Sequence, residues 1–182
     1  MGSARNRVRR AYIDRRGPNA WKKSRLAIAE FWDAIEMAMD NLRLDYRAAR
    51  LYQDGLPVCG LEEKVVRDLA IQGVPNYRIL QKLMERGATL EGTEDPDLLR
   101  REYELIMKTA AGAAGAGPAE SVRAAPFREL LDQRDGFIAR RIDATLVQGE
   151  IGFLFLGALH RAVEKLPDSV QVVSLPQMLQ SQ

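Results

Sequence analysis

Apolar positions recur at steps of three and four residues over 19–42, where Ile28, Phe31, Trp32, Ile35, Met39 and Leu42 form one stripe. That spacing predicts a long amphipathic helix packed into the core. The pattern then changes, and 49–52 reads as a short strand running into Gln53-Asp54-Gly55-Leu56-Pro57, whose Gly and Pro predict a loop at the strand's end. Two helices follow, over 61–72 and 75–86, with Pro75 in a first turn and Gly73 and Gly87 just past the two ends. A short strand over 88–90 leads through Gly92-Thr93-Glu94-Asp95-Pro96 into a helix over 97–108, with Asp95 as its N-cap and Pro96 at its first position. The segment 109–119, almost all Ala and Gly with one Pro, reads as a flexible linker within the domain. A long helix starts at Pro126 and runs to about 146. The run 151–156 carries no charge and reads as a strand buried on both faces. A short helix or turn over 159–165, a last strand over 170–175 and a loose tail over 176–182 complete the chain.

Strands separated by helices pair in parallel through right-handed crossovers. The predicted fold class is therefore α/β, a three-layer sandwich with a small, mainly parallel sheet of about four strands flanked by helices. At 182 residues the chain has room for one sizeable core, so 1–182 is expected to be a single domain.

Composition narrows the setting. Cys59 is the one cysteine, which excludes a disulfide framework and a multi-cysteine zinc site, and no run approaches the ~18–20 apolar residues of a membrane span. A cytoplasmic protein without membrane association is the expectation. The formal net charge of +2 hides an asymmetry, because residues 1–26 carry nine Lys or Arg against the single acid Asp14. The basic arm over 1–18 would attract anionic partners. With only Tyr12 and Trp21 as aromatics, 1–26 lacks the stacking platform of a single-strand binder, so it is read as a solvated helix against the acidic body in preference to a nucleic-acid contact.

Candidate chemistry gathers at the strand ends. His160, the only histidine, falls just past the carboxyl end of the 151–156 strand, where open α/β sheets place their sites. Asp54 and Glu94 follow two other predicted strands and would share that edge. One imidazole and two carboxylates suit a divalent cation or the activation of a water. As structural residues, Asp54 is instead a turn former and Glu94 part of a capping loop. In the long helix, Arg134 interrupts the stripe of Phe127, Leu130, Leu131, Phe137, Ile138, Ile142 and Leu146. A guanidinium there either pairs with a carboxylate, holding helix to sheet, or binds an anionic ligand. Asp135 beside it forms a local pair or reaches the next element. Nothing around Cys59 marks a lowered thiol pKa.

The last third, in which QRDGFIARRIDATL precedes IGFLFLGALH and then VQVVSL, resembles the carboxyl-terminal part of the TraB/Tiki-type superfamily. That group takes in the pheromone-shutdown and Tiki proteins, ChaN-like proteins and erythromycin-esterase-like enzymes. The shared features are an Arg within an R-D/N step on a helix, followed by A..I...L, and a strand ending in Gly-x-x-His. Here they are Arg134 with Asp135, Ile138, Ala139, Ile142 and Leu146, then Gly157 and His160. The resemblance covers about 50 of the 182 residues. The middle segments are similar to those of bacterial proteins of unknown function with the same ending. The resemblance implies that Arg134 and His160 are site residues and that Asp54 or Glu94 supplies the acidic group. Members of the group usually open with a strand bearing an earlier histidine motif, whereas this chain opens on MGSARNRVRRAYIDRRG, similar to the region after such a strand. A missing first strand and a divergent member are the two readings left open. The sheet edge a missing strand exposes would be met by dimerisation or by the basic helix.

Two functional classes follow. In the first, a hydrolase-like domain uses His160, Arg134, Glu94 and Asp54, with His160, Asp54 and Glu94 holding a divalent metal ion or activating a water while Arg134 binds an anionic substrate group. In the second, a non-catalytic module binds a small anionic ligand, a protein or a nucleic acid.

Overall fold

The computed structural model describes residues 10, 13, 14, 16–112 and 125–180. They fall into two compact units, Met1–Arg43 with Leu175–Gln182, and Leu44–Ser174. The first unit contains helix α1 (Pro18–Asn41) and the short helix α6 (Leu175–Gln180). The α1 stripe departs from expectation. Met39 and Leu42 are buried and Trp32 and Ile35 half-buried, but Ile28 is 53% exposed and Phe31 59% exposed. Periodicity shows that a face is apolar; it does not supply a surface to cover it.

The second unit is an α/β sandwich. Its sheet holds β1 (Ala49–Gln53), β2 (Thr89–Leu90) and β3 (Ile151–Phe155) in the order β2-β1-β3, with both pairings parallel. Helices α2 (Glu62–Ile71), α3 (Pro75–Glu85), α4 (Pro96–Gly112) and α5 (Ala125–Thr145) flank it. Both short helices end as their glycines predict. Gly73 has φ 74° and Gly87 φ 104°. Gly73 N–H bonds Ala70 O and Val74 N–H bonds Leu69 O, and the same paired closure runs from Gly87 to Met84 and Ala88 to Leu83. At α4, Asp95 Oδ1 accepts the backbone N–H of Asp97 at 2.7 Å, so Asp95 is the cap expected.

β1 is the middle strand and explains most of the core. Tyr52 packs one face with Ile138 and Ile142 of α5 and with Ala162. Its hydroxyl shares a 2.8 Å hydrogen bond with Thr145 Oγ1. Leu51, on the opposite face by strand alternation, is fully buried. Arg50 would be costly in such a strand, but it pairs with Glu91, just after β2, and donates Nε–H to Glu150 Oε2, just before β3, at 2.5 Å. One guanidinium thus ties the middle strand to carboxylates beside both neighbours.

The register sets Gln53 opposite Phe155, so the chain leaves β1 and β3 side by side. The fourth strand does not form. Residues 170–174 have no ladder partner, Val172 is 51% exposed, and Leu175 begins a helix, so the sheet has three strands rather than about four. Alternating β-branched residues suit a strand, but a strand is completed by the neighbour that takes its hydrogen bonds. The predicted turn over 159–165 contains a 3-10 helix, Ala162–Lys165. Of the predicted linker, 109–112 ends α4 and 113–119 lie outside the described residues, as do 1–9, 11, 12 and 15 of the basic arm. The expected loose tail is helical as far as Gln180.

Candidate active site

Asp54 is the first residue after β1. Its backbone N–H bonds Phe155 O at 3.0 Å, which keeps it against the end of β3. Its Oδ2 accepts the N–H of Gly157 at 2.6 Å, and its Oδ1 accepts from Gln53 Nε2. Gln53 Oε1 in turn accepts from Asn76 Nδ2 of α3 at 2.9 Å. The carboxylate is therefore fixed from both strands and a helix. A Cβ on Gly157 would lie 2.9 Å from Asp54 Oδ2, so a side chain there would push the carboxylate from its place.

The chain turns after Gly157, whose carbonyl accepts the His160 N–H at 3.0 Å, and the imidazole swings back over the strand ends. His160 Nδ1 meets Asp135 Oδ1 at 2.6 Å, while Asp135 Oδ2 accepts the Arg161 N–H at 2.9 Å. Asp135 is 3% exposed, so both its oxygens are held by protein donors. On the other side, His160 Nε2 lies 3.6 Å from Asp54 Oδ2, too far for a hydrogen bond. Among the described residues no buried side-chain nitrogen or oxygen lacks a partner, so Nε2 reaches solvent. An ionised Asp135 selects the tautomer with the proton on Nδ1, which leaves the Nε2 lone pair facing Asp54. Tyr77 of α3 adds to this edge. Burial pushes its phenol above the ordinary value, and the negative charge of Asp54 pushes in the same direction.

Arg134 and Glu94 make a separate pair. Arg134 donates Nε–H to Glu94 Oε2 at 2.9 Å and pairs through a second nitrogen with Glu94 Oε1, a two-point fork, and its third nitrogen reaches Glu102 Oε1 of α4 at 2.5 Å. Glu94 is fully buried and Oε1 also accepts the Gly55 N–H at 3.0 Å. Burial opposes the Arg134 charge, but the hydrogen bonds to Glu94 and its attraction outweigh burial and hold the guanidinium above its ordinary value. Of the two readings of Arg134, the geometry is that of the ion pair tying helix to sheet.

No protein-family model, curated protein or solved structure matches the chain. The geometry therefore stands alone. Of the four expected site residues, His160 and Asp54 come together, whereas Arg134 and Glu94 bind each other. Among the described residues, no group of three or more His, Cys, Asp or Glu side chains is placed to hold a metal ion. Cys59 is exposed in its loop. The residue missing from the expected set is Asp135. Its signal was its place beside Arg134 in the R-D step of the long helix.

Proposed function

We propose that this chain is a hydrolase-like α/β domain in which His160, oriented by Asp135, activates a water held between Nε2 and Asp54. One observation carries the reading: the imidazole is bonded to a buried carboxylate through Nδ1 and presents an unbonded Nε2 to a second carboxylate at the strand ends. Nε2 takes a proton as the water oxygen bonds to an acyl or phosphoryl centre. The bond to the leaving group breaks, and the same proton returns to that group. Asp135 is a positioning residue, and it stabilises the imidazolium between the two transfers.

Membership of the TraB/Tiki-type superfamily, and with it a bacterial origin, is part of this proposal. It draws support from where the two motifs fall, since the Arg134-Asp135 step contributes the carboxylate on His160 and Gly157 clamps Asp54. A cytoplasmic setting rests on the lone cysteine; among the described residues, no helix is long and apolar enough to cross a membrane. A divalent cation finds two donors here, His160 and Asp54, because Glu94 is held by Arg134 and Gly55, so the protein's own groups move the proton. The imidazole's 5% exposure favours, as second reading, a binding module without chemistry.

The test is hydrolysis of a panel of p-nitrophenyl esters and p-nitrophenyl phosphate by the full chain. His160→Gln should lower the rate about a hundredfold or more, with Asp135→Asn lowering it less, and a chelator leaving it unchanged. Equal rates for wild type and His160→Gln overturn the reading. Saturable binding without turnover selects the module.

A further inference from the structure

The hydrogen bonds that fix Asp54 lead on into α3. Gln53, itself buried, donates Nε2 to both the backbone oxygen and Oδ1 of Asp54, and its own Oε1 is held by Asn76 in the first turn of α3. Tyr77 is the next residue of that turn. The helix is anchored behind it by Ile79, Leu80 and Leu83, all buried, and it lies in the same unit as Asp54 and His160. The turn that carries Tyr77 is therefore pinned to the carboxylate through one buried amide.

A tyrosine that is largely covered ordinarily ties down its hydroxyl, as Tyr52 does on Thr145. Tyr77 is half-buried, yet its hydroxyl has no hydrogen-bond partner among the described residues. Because no buried side-chain oxygen there goes unpaired, that hydroxyl opens to solvent. The one charged group that acts on the phenol is Asp54, so the hydroxyl stands at the strand ends and not among the surface charges further along α3. Burial and that charge both oppose its ionisation, which keeps it an O–H donor at neutral pH.

Hydrolysis at His160 needs such a donor. When the water between Nε2 and Asp54 adds to an acyl or phosphoryl centre, an oxygen of that centre becomes negative near a carboxylate that is negative already. Other donors of this edge are spent. The Gly157 N–H and Gln53 Nε2 are on Asp54, the Arg161 N–H is on Asp135, and Arg134 is on Glu94 and Glu102. We infer that Tyr77 is a further catalytic residue of this site, its O–H donating a hydrogen bond to the oxygen that turns negative as water adds. The role rests on the water activation read for His160. Tyr77 transfers no proton, so the one that Nε2 takes still goes to the leaving group.

Tyr77→Phe in the full chain removes the hydroxyl and keeps the ring. On the p-nitrophenyl substrates that the wild type turns over, it should lower kcat about tenfold or more and leave KM almost unchanged, because the bond forms with the transition state. A kcat within about twofold of wild type overturns the proposal, even where His160→Gln abolishes turnover, so the two readings fail separately. Binding gives a measurement that needs no turnover. Inorganic vanadate and phenylboronic acid, which take up water to become anions shaped like the phosphoryl and acyl transition states, should bind about tenfold more weakly to Tyr77→Phe. In tyrosine-resolved NMR of the wild type, whichever of them binds should shift Tyr77 and leave Tyr52 in place. If the wild type turns over nothing, the His160 reading falls and these two probes decide on Tyr77. Equal affinity in the variant, an unmoved Tyr77, or no binding by the wild type overturns its role.

Discussion

Both oxygens of Asp135 are committed, one to an imidazole nitrogen and the other to a backbone N–H, and its neighbour Arg134 is committed to Glu94 and Glu102. The side chains of Arg134 and Glu94 are 6% and 0% exposed, so removing one partner strands a buried charge. Arg134→Met or Glu94→Gln alone should therefore cost about 3–5 kcal/mol in denaturant unfolding, and Arg134→Met with Glu94→Leu less than the sum of the singles. The Tyr77 phenol gives a second measurement, because Asp54 is one of the two causes that hold it up. A tyrosine with a raised folded value adds stability below its unfolded value, about 10, and that stability is lost as pH rises through the folded value. In tyrosine-resolved NMR titration, Asp54→Asn should bring Tyr77 part of the way back and leave Tyr52 in place. Arg134 was legible from the sequence as a cation interrupting an apolar stripe. Its choice of Glu94, forty residues away, was not, because a guanidinium fits a carboxylate and a ligand equally well and only the fold says which is near.

Helices and their ends were the most legible elements, since their causes are local. Gly73 and Gly87 close α2 and α3 in the left-handed conformation, and Asp95 caps α4. Alanine should test the glycines: Gly73→Ala meets open space and should cost about 1–2 kcal/mol for its φ alone. Gly87→Ala should cost more, because its Cβ would stand 2.9 Å from Arg47 Cγ. Strand 170–175 was misread for the opposite reason. What makes a strand is a partner, and residues far along the chain decide whether one exists. The elements also set the acid limit. Arg50, then the Val147 N–H, hold Glu150 below the usual carboxylate range. At Glu62 burial pushes upward, and the N–H groups of Cys59, Glu62 itself and Gly60 outweigh it. Lowered carboxylates contribute stability above their unfolded value of about 4.3, and it is lost as pH falls through the lower folded values. The melting temperature should decline below about pH 4, less steeply in Glu62→Gln.

For the whole molecule, the charge asymmetry read from the sequence runs on inside α1. The excess of cations over 1–26 continues into the first half of that helix, whose second half is acidic. The apolar stripe was legible and its destination was not, because an uncovered face and a core face have the same period. In the other unit, Arg134 holds Glu94 beyond β2, and Glu94 holds Gly55 beyond β1. One residue further along α5, Asp135 holds His160 and Arg161 beyond β3. A single dipeptide on one helix is thus the hub to which all three strand ends are fastened. The segments that carry Asp54 and His160 are consequently fastened to one helix, so the 3.6 Å between Nε2 and Oδ2 is set by where α5 lies.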